Sequence, residues 1–453
     1  MYKMSEIAAE YKKRLVTADV AATKVQSGDK VSYGFSYMAP HAVDEALAKR
    51  LKERSLKGIE IINTLSVRKG GHAVFRETET AEQCRLACAH FSGLDRKINK
   101  EGRGWFVPMF FNEEPKFWTE IRPVDVVTIQ VGPMDQWGNF YLGPTVADIW
   151  GYLEKARTVI VEVNENMPKA MGFKNQINLE KVDYIVEGNN PALDELPAVG
   201  HDQDDEKIAG YITELIEEGS TLQLGIGAVP NCIGALLADT DIREIYCHSE
   251  MLSEAYIDLF EAGKLAGAVQ HHPGKIVYTF SMGSKRLYDF LDGNQMGMVA
   301  PVDYVNNIGL IASIDRFVSV NGALEVDMYG QVSAETAGYR HISGTGGQMD
   351  FVQGAFASKG GKSFICLHST NTLKDGTVKS TISPILAEGS VVTTPRAATH
   401  YIVTEHGTAL LKGKTTWERA EELINVAHPD FRDELVKEAE KMGIWCNTSK
   451  TSY

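Results

Sequence analysis

Basic residues are in deficit along this chain: 46 lysines and arginines stand against 60 aspartates and glutamates, a formal net charge of −14 over 453 residues. A nucleic-acid partner, which needs a positive face to displace counterions, is therefore not expected. Cysteine is scarce too. The six, Cys84, Cys88, Cys232, Cys247, Cys366 and Cys446, follow no disulfide framework, and Met1-Tyr-Lys-Met-Ser5 shows no secretory leader, so a reduced, cytoplasmic protein is expected. No apolar run approaches the ~20 residues that cross a bilayer, so no membrane residence is expected. Metal-ligand spacing is also lacking. Cys84-x-x-x-Cys88, followed by His90, has helical spacing and no second ligand pair, which predicts a buried apolar face and no metal site.

What remains is ordinary globular composition, 43% apolar and 23% charged, in a chain long enough for two cores. A helix over about 5–26 leads into the strand Lys30-Val-Ser-Tyr-Gly34, and a helix follows over 42–52. Short β-branched runs at 58–63, 124–130 and 158–163 alternate with helical patterns, which predicts parallel sheets covered on both faces. Between Glu187 and Gly200 the pattern breaks into Pro, Gly, Asn and acids. We place a boundary there, giving an α/β chain of two domains, 1–200 and 201–453. A helix over about 204–218 and a strand over 220–224 open the second half. Strands near 276–280, 317–320, 363–367, 390–393 and 401–404 follow, then helices over 415–427 and 430–442. The helix-then-strand start of the second half echoes that of the first, which suggests related topologies.

The most informative stretch is Leu222-Gln-Leu-Gly225-Ile-Gly227-Ala-Val-Pro230, followed by His248-Ser-Glu250-Met-Leu-Ser253. A buried strand enters a glycine turn that opens a helix, and the next strand ends at a carboxylate. The backbone N–H groups of 225–229 can hold an anion or polarise a carbonyl, or the turn is a structural corner only. Gly225-x-Gly227-x-x-Pro230 misses the dinucleotide fingerprint at its third glycine, although Glu250 lies about where a ribose-binding acid would stand. Proline suits a first helical turn. Glu250 is thus a candidate nucleophile, a ribose ligand or a solvated strand-end acid.

A second glycine cluster, His341-Ile-Ser-Gly344-Thr-Gly346-Gly347-Gln-Met-Asp350-Phe351, predicts a strand end and a helix running to about Ser358, its glycines either baring backbone to a ligand or making only a flexible loop. His271-His272-Pro273 is expected to be a loop. Ser249 cannot pair with His248, because neighbours on a strand point to opposite faces. Met134-Asp-Gln-Trp137-Gly-Asn139 predicts a turn with Trp137 as packing, and the apolar residues after Pro40 and over 105–111 are candidates for a small acid pocket.

At these words the chain resembles the class I coenzyme A transferases, in the branch of acetyl-CoA hydrolase/transferases that includes 4-hydroxybutyrate and butyryl-CoA:acetate CoA-transferases. The resemblance is carried by Gln223-Leu-Gly-Ile-Gly-Ala-Val-Pro230, His248-Ser-Glu-Met251, Lys285-Arg-Leu-Tyr-Asp-Phe290, Pro301-Val-Asp-Tyr304, Ile342-Ser-Gly-Thr-Gly-Gly-Gln-Met-Asp-Phe-Val352 and Ala427-His-Pro-Asp-Phe-Arg432. Val161-Glu-Val-Asn-Glu-Asn-Met-Pro168 extends it over the N-terminal half. It implies two related open α/β domains of the CoA-transferase (NagB/RpiA-like) type. It implies transfer of CoA from a short-chain acyl-CoA, butyryl-CoA or 4-hydroxybutyryl-CoA, to a carboxylate such as acetate by ping-pong chemistry. It further implies that Glu250 forms a glutamyl-CoA thioester, that Gly225, Ile226, Gly227, Ala228, Val229, Gly346, Gly347 and Lys374 contact CoA, that CoA enters as substrate with no permanent cofactor, and that the protein is a homodimer or higher homo-oligomer. The words Ser358-Lys-Gly-Gly-Lys-Ser-Phe-Ile-Cys-Leu367 and Glu440-Lys-Met-Gly-Ile-Trp445 resemble the butyryl-CoA:acetate members more than the 4-hydroxybutyrate ones. Acyl-CoA hydrolysis with the same glutamate is the nearest alternative, and a non-catalytic nucleotide-binding α/β protein the alternative of another class.

Overall fold

The computed structural model describes residues 4–197, 200–266, 268–269 and 271–444. Two compact units emerge, Met1–Pro197 with Val277–Val305, and Ala198–Ile276 with Asn306–Tyr453. The segment 277–305, which the sequence reading groups with the C-terminal half, is thus an excursion back into the first unit.

The first unit is built on seven strands: β1 (Lys30–Phe35), β2 (Ile59–Thr64), β3 (Cys84–Cys88), β4 (Gly104–Phe106), β5 (Val126–Val131), β6 (Thr158–Val163) and β7 (Tyr184–Glu187). They lie in the order β4-β3-β2-β1-β5-β6-β7, all parallel. Every residue of β2, β5 and β6 is buried, as expected of strands covered on both faces. Val31, Tyr33, Ile61, Val126 and Ile160 share a core with Val43, Leu47 and Leu51 of the helix Ala42–Lys52. That helix begins on a buried acid: Glu162 of β6 accepts the backbone N–H groups of His41, Ala42 and Val43, each at 3.0 Å. Three donors at a helix N-terminus favour the carboxylate, but burial outweighs them and its pKa is raised.

Three local expectations for this unit need correction. The 5–26 helix is two helices, Met4–Arg14 and Ala18–Ala22, because Val16 donates its N–H to Ile185 of β7 and Thr17 caps the second helix through Val20 N–H. Cys84 and Cys88 are buried as expected, but on the strand β3; a four-residue spacing in so short a run fits either period. Trp137 does not pack but is 57% exposed, and Asp135 makes the turn by accepting the N–H groups of Trp137 and Asn139.

The second unit carries β8 (Thr221–Leu224), β9 (Tyr246–Cys247), β10 (Phe317–Gly322), β11 (Lys362–Cys366), β12 (Tyr401–Thr404) and β13 (Gly407–Leu410). Their order is β9-β8-β10-β11-β12-β13, parallel except for the final hairpin pair. The C-terminal helices Thr416–Val426 and Pro429–Lys441 fall within a residue of their expected bounds. The expected strand at 390–393 forms no ladder beyond a single bridge: Thr393 donates its N–H to Val332 O at 2.8 Å beside the isolated Val332–Thr394 bridge, while Val391 donates to Thr336 Oγ1 and Thr393 Oγ1 accepts from Ala334. His272-Pro273 is not a free loop but pairs with Ala268–Val269 in a two-residue ladder.

Candidate active site

The two loops that matter leave adjacent strands at their carboxyl ends, where open parallel sheets bind ligands. β8 pairs with β9 through Thr221 and Leu222 opposite Tyr246 and Cys247. The chain beyond β9 stays against β8, with His248 N–H donating to Leu222 O at 3.3 Å and Ser249 Oγ to Leu224 O at 3.2 Å. The buried Tyr256 closes the corner, its hydroxyl accepting Leu224 N–H at 2.9 Å and donating to Leu222 O at 3.0 Å. The strand before the glycine turn and the helix after Glu250 are thereby tied to one another.

Gly227 takes φ +131°, a conformation open to glycine, and caps the helix Ala228–Asp239 without a side-chain bond. Pro230 stands in that helix's first turn, as expected. The turn borders a cavity of about 210 Å³ lined by Gly225, Gly227, Val229, Asn321, Cys366 and His368. Ala228 also lines it, and Ile226 stands 52% exposed.

Glu250 is held from two other directions. The side-chain amide of Asn306 donates from Nδ2 to Glu250 Oε2 at 2.7 Å, and the backbone N–H of Gly347 donates to the same carboxylate. Asn306 Nδ2 also reaches Asp350 Oδ2 at 3.2 Å. Gly347 comes so close that a Cβ there would lie 1.9 Å from Glu250 Oε2 and 2.2 Å from Asn306 Nδ2. Gly346, at φ +53°, turns the chain into this approach, and the helix Gln348–Ala357 follows. Behind the loop, buried Glu335 accepts Thr393 Oγ1 at 3.0 Å and Thr345 Oγ1 at 3.4 Å, while its carbonyl accepts Ile342 N–H at 2.8 Å. The glycine loop is braced, not free.

Burial pushes the Glu250 carboxyl up to about 7, against the bonds from Asn306 and Gly347, which favour the anion. The group therefore changes charge near neutrality. Such an acid, desolvated yet supplied with two donors, is a competent nucleophile that needs no general base once ionised.

Of the residues singled out from the sequence, Glu250 and Gly347 meet, Gly346 precedes that contact, and Gly225 to Val229 form the turn beside the cavity. Lys374 sits in the exposed hairpin turn between Thr370–Thr372 and Val378–Ser380, outside the contacts of Glu250. Sequence reasoning missed Asn306, Tyr256 and Asp350. Asp350 lay inside a quoted motif and Asn306 two residues beyond Pro301-Val-Asp-Tyr304, but no spacing rule points either toward Glu250. Asp202, Asp205 and His368 bring ligand atoms within 4.8 Å of one another, the one such group among the described residues. Both aspartates are committed to the capping box of the helix Gln203–Thr213, and Asp205 Oδ1 also pairs with His368 Nε2 at 2.8 Å, so the group is a helix cap with an ion pair.

With this geometry in place, comparison with known proteins decides the family. The acetyl-CoA hydrolase/transferase N-terminal domain matches residues 1–194, and the acetyl-CoA hydrolase/transferase C-terminal domain matches residues 283–439. The chain belongs to the acetyl-CoA hydrolase/transferase family. Within that family it is 46% identical to the butyryl-CoA:acetate CoA-transferase of Anaerostipes caccae over 97% of this chain and 99% of that protein. It is 41% identical to the 4-hydroxybutyrate coenzyme A transferase of Clostridium kluyveri over 95% of this chain and 98% of that protein. Among solved structures, RipA from Yersinia pestis superposes with a TM-score of 0.86 at 34% identity, covering 97% of this chain and all of RipA (100%).

Proposed function

We propose that the protein transfers CoA between a short-chain acyl-CoA, butyryl-CoA foremost, and acetate, by way of a thioester on Glu250. The single observation that carries this reading is the Glu250 carboxylate, partly buried and gripped by Asn306 and Gly347, in a member of the acetyl-CoA hydrolase/transferase family. The Glu250 carboxylate attacks the thioester carbonyl and expels CoA thiolate, leaving a mixed anhydride between Glu250 and the acyl group. The thiolate then attacks the glutamyl carbonyl, the anhydride C–O bond breaks, and the first acid leaves as its carboxylate. Acetate reverses the sequence. Each addition places negative charge on a carbonyl oxygen, where preorganised donors lower the barrier by roughly 3–4 kcal/mol apiece.

Donors for that charge beside Glu250 are the Asn306 amide and the backbone N–H of Gly347. In this reading Gly225, Ile226, Gly227, Ala228 and Val229 contact CoA at the cavity beside the turn, with Gly346, Gly347 and Lys374 as its further contacts. The working form is read as a cytoplasmic homo-oligomer. No helix of the described residues is long and apolar enough to cross a membrane. Water admitted to the anhydride would convert transfer into hydrolysis, and the ratio of acetyl-CoA to free CoA formed from butyryl-CoA and acetate separates the two.

The test is the intact mass of the protein after butyryl-CoA, followed by borohydride and peptide mapping. An adduct of CoA mass on the Glu250 peptide, discharged by borohydride and absent from Glu250→Gln, is expected. Failure of any short acyl-CoA to leave such an adduct removes the covalent mechanism. A pH dependence follows from the same group. Because attack needs the anion, kcat/KM for butyryl-CoA should rise with pH and level off above an apparent pKa of about 7. A flat profile between pH 5 and pH 9, at constant protein integrity, would show that Glu250 does not titrate in the free enzyme.

A further inference from the structure

We propose that Asp350 is a positioning residue that keeps the Asn306 amide turned with its NH2 end toward Glu250 throughout the catalytic cycle, including the stage at which Glu250 has lost its charge. This rests on the reading of Glu250 as the nucleophile.

Asn306 is fully buried, and its Nδ2 lies 2.7 Å from Glu250 Oε2 and 3.2 Å from Asp350 Oδ2. No donor among the described residues reaches its Oδ1. A side-chain amide is nearly symmetric in shape, so its orientation is set by its partners and not by packing. With both carboxylates at the NH2 end, a flip would set Oδ1 against two acceptors and remove the amide donor from each.

The covalent cycle makes the second acceptor necessary. When Glu250 becomes an anhydride or a thioester, its carboxylate is gone and a neutral carbonyl takes its place, a far weaker reason for the amide to keep its direction. Asp350 undergoes no such change. It is 1% exposed, in the first turn of the helix Gln348–Ala357, three residues beyond the Gly347 whose N–H is the other donor to Glu250. One helix start thus supplies one donor directly and orients the other. Asn306 then still faces the glutamyl carbonyl when CoA thiolate attacks it in the anhydride and when acetate attacks it in the thioester, the two moments at which a donor to its developing oxyanion is needed.

Formation and discharge of the enzyme thioester are the two rates to follow, each by mass in single turnovers with butyryl-CoA and then acetate. In Asp350→Asn, formation and discharge should both fall by roughly 10- to 100-fold, since each passes through attack on the glutamyl carbonyl of an uncharged Glu250, with KM for butyryl-CoA unchanged. In an Asn306→Ala background the same substitution should alter neither rate beyond about 2-fold, since its effect passes through that amide. Asp350→Ser is the second variant, expected to behave like Asp350→Asn.

Slowing confined to one step, losses that add to those of Asn306→Ala, or unchanged rates of both steps would overturn the proposal. Loss of cooperative unfolding in both Asp350 variants would overturn it as well, by showing a structural role. If the wild type forms no thioester, the assignment of Glu250 fails; if it does and Asp350→Asn is normal, only the role of Asp350 fails.

Discussion

Glu250→Gln is expected to lower turnover by roughly 10⁴-fold or more, and at the same time to make the protein harder to unfold at pH 8. Loss of a covalent nucleophile removes the whole pathway and leaves only what binding and oxyanion donors provide, hence the size of the first effect. The second comes from linkage. The Glu250 carboxyl is raised from its usual 4.5 to about 7 in the folded protein, so between those values the native state holds more proton than the unfolded chain. Stability consequently falls as pH rises through that window. The cost is absent below about 4.5 and complete above about 7. Glutamine keeps the shape, carries no charge and can still accept from Asn306, so its Tm should exceed that of the wild type at pH 8 and match it near pH 4.5. A Tm difference of the same size at both pH values would contradict the raised pKa.

Gly347→Ala carries the other large effect. The added Cβ would sit 1.9 Å from Glu250 Oε2 and 2.2 Å from Asn306 Nδ2, well inside contact distance, and both groups would have to move by more than an ångström. A displacement of that order at a reacting atom costs about 10² in rate, and the loss of two hydrogen bonds to a charged acceptor adds to it. We expect a fall of roughly 10³-fold in kcat, with thioester formation impaired as much as turnover. Gly210→Ala is the control. It lies in the helix Gln203–Thr213, where an added Cβ meets nothing within 4 Å, so that variant should be fully active and no less stable. Activity of Gly347→Ala within 10-fold of wild type would mean that the close approach is not needed.

How much of this was legible beforehand differs between fold and site. Continuous apolar β-branched runs announced β2, β5 and β6, because strands buried on both faces leave little choice of residue. The break at 187–200 was legible for the converse reason, a run of Pro, Gly and Asn. The return of 277–305 to the first unit was not legible, since its strands and helix have the same local character wherever they pack. At the site, the glycine turn and Glu250 could be read from local chemistry. Gly347 was read as one glycine of a ligand loop, but its role as a neighbour that must lack a Cβ depends on contacts remote in sequence. Asn306, Asp350 and Tyr256 act only through such contacts. An asparagine earns attention in a sequence when it caps or turns something nearby, and Asn306 does neither.

The excursion of Val277–Val305 also fixes an order of events during synthesis. Within the first unit, Val146 and Ala147 donate their N–H groups to Thr279 O, Phe173 to Val299 O, and Val302 to Ala147 O. That unit therefore cannot close when residue 197 leaves the ribosome; it waits for another hundred or so residues, among them β8, the glycine turn and Glu250. Asn306, the amide that meets Glu250, is the first residue translated after the returning segment ends. Nascent chains shorter than about 305 residues thus hold an unfinished first unit in which Val146, Ala147 and Phe173 lack their backbone acceptors, the kind of incomplete state that chaperones retain. Cutting the gene at residue 200 would separate partners that hydrogen-bond across the cut, and the two pieces should fold only when expressed together.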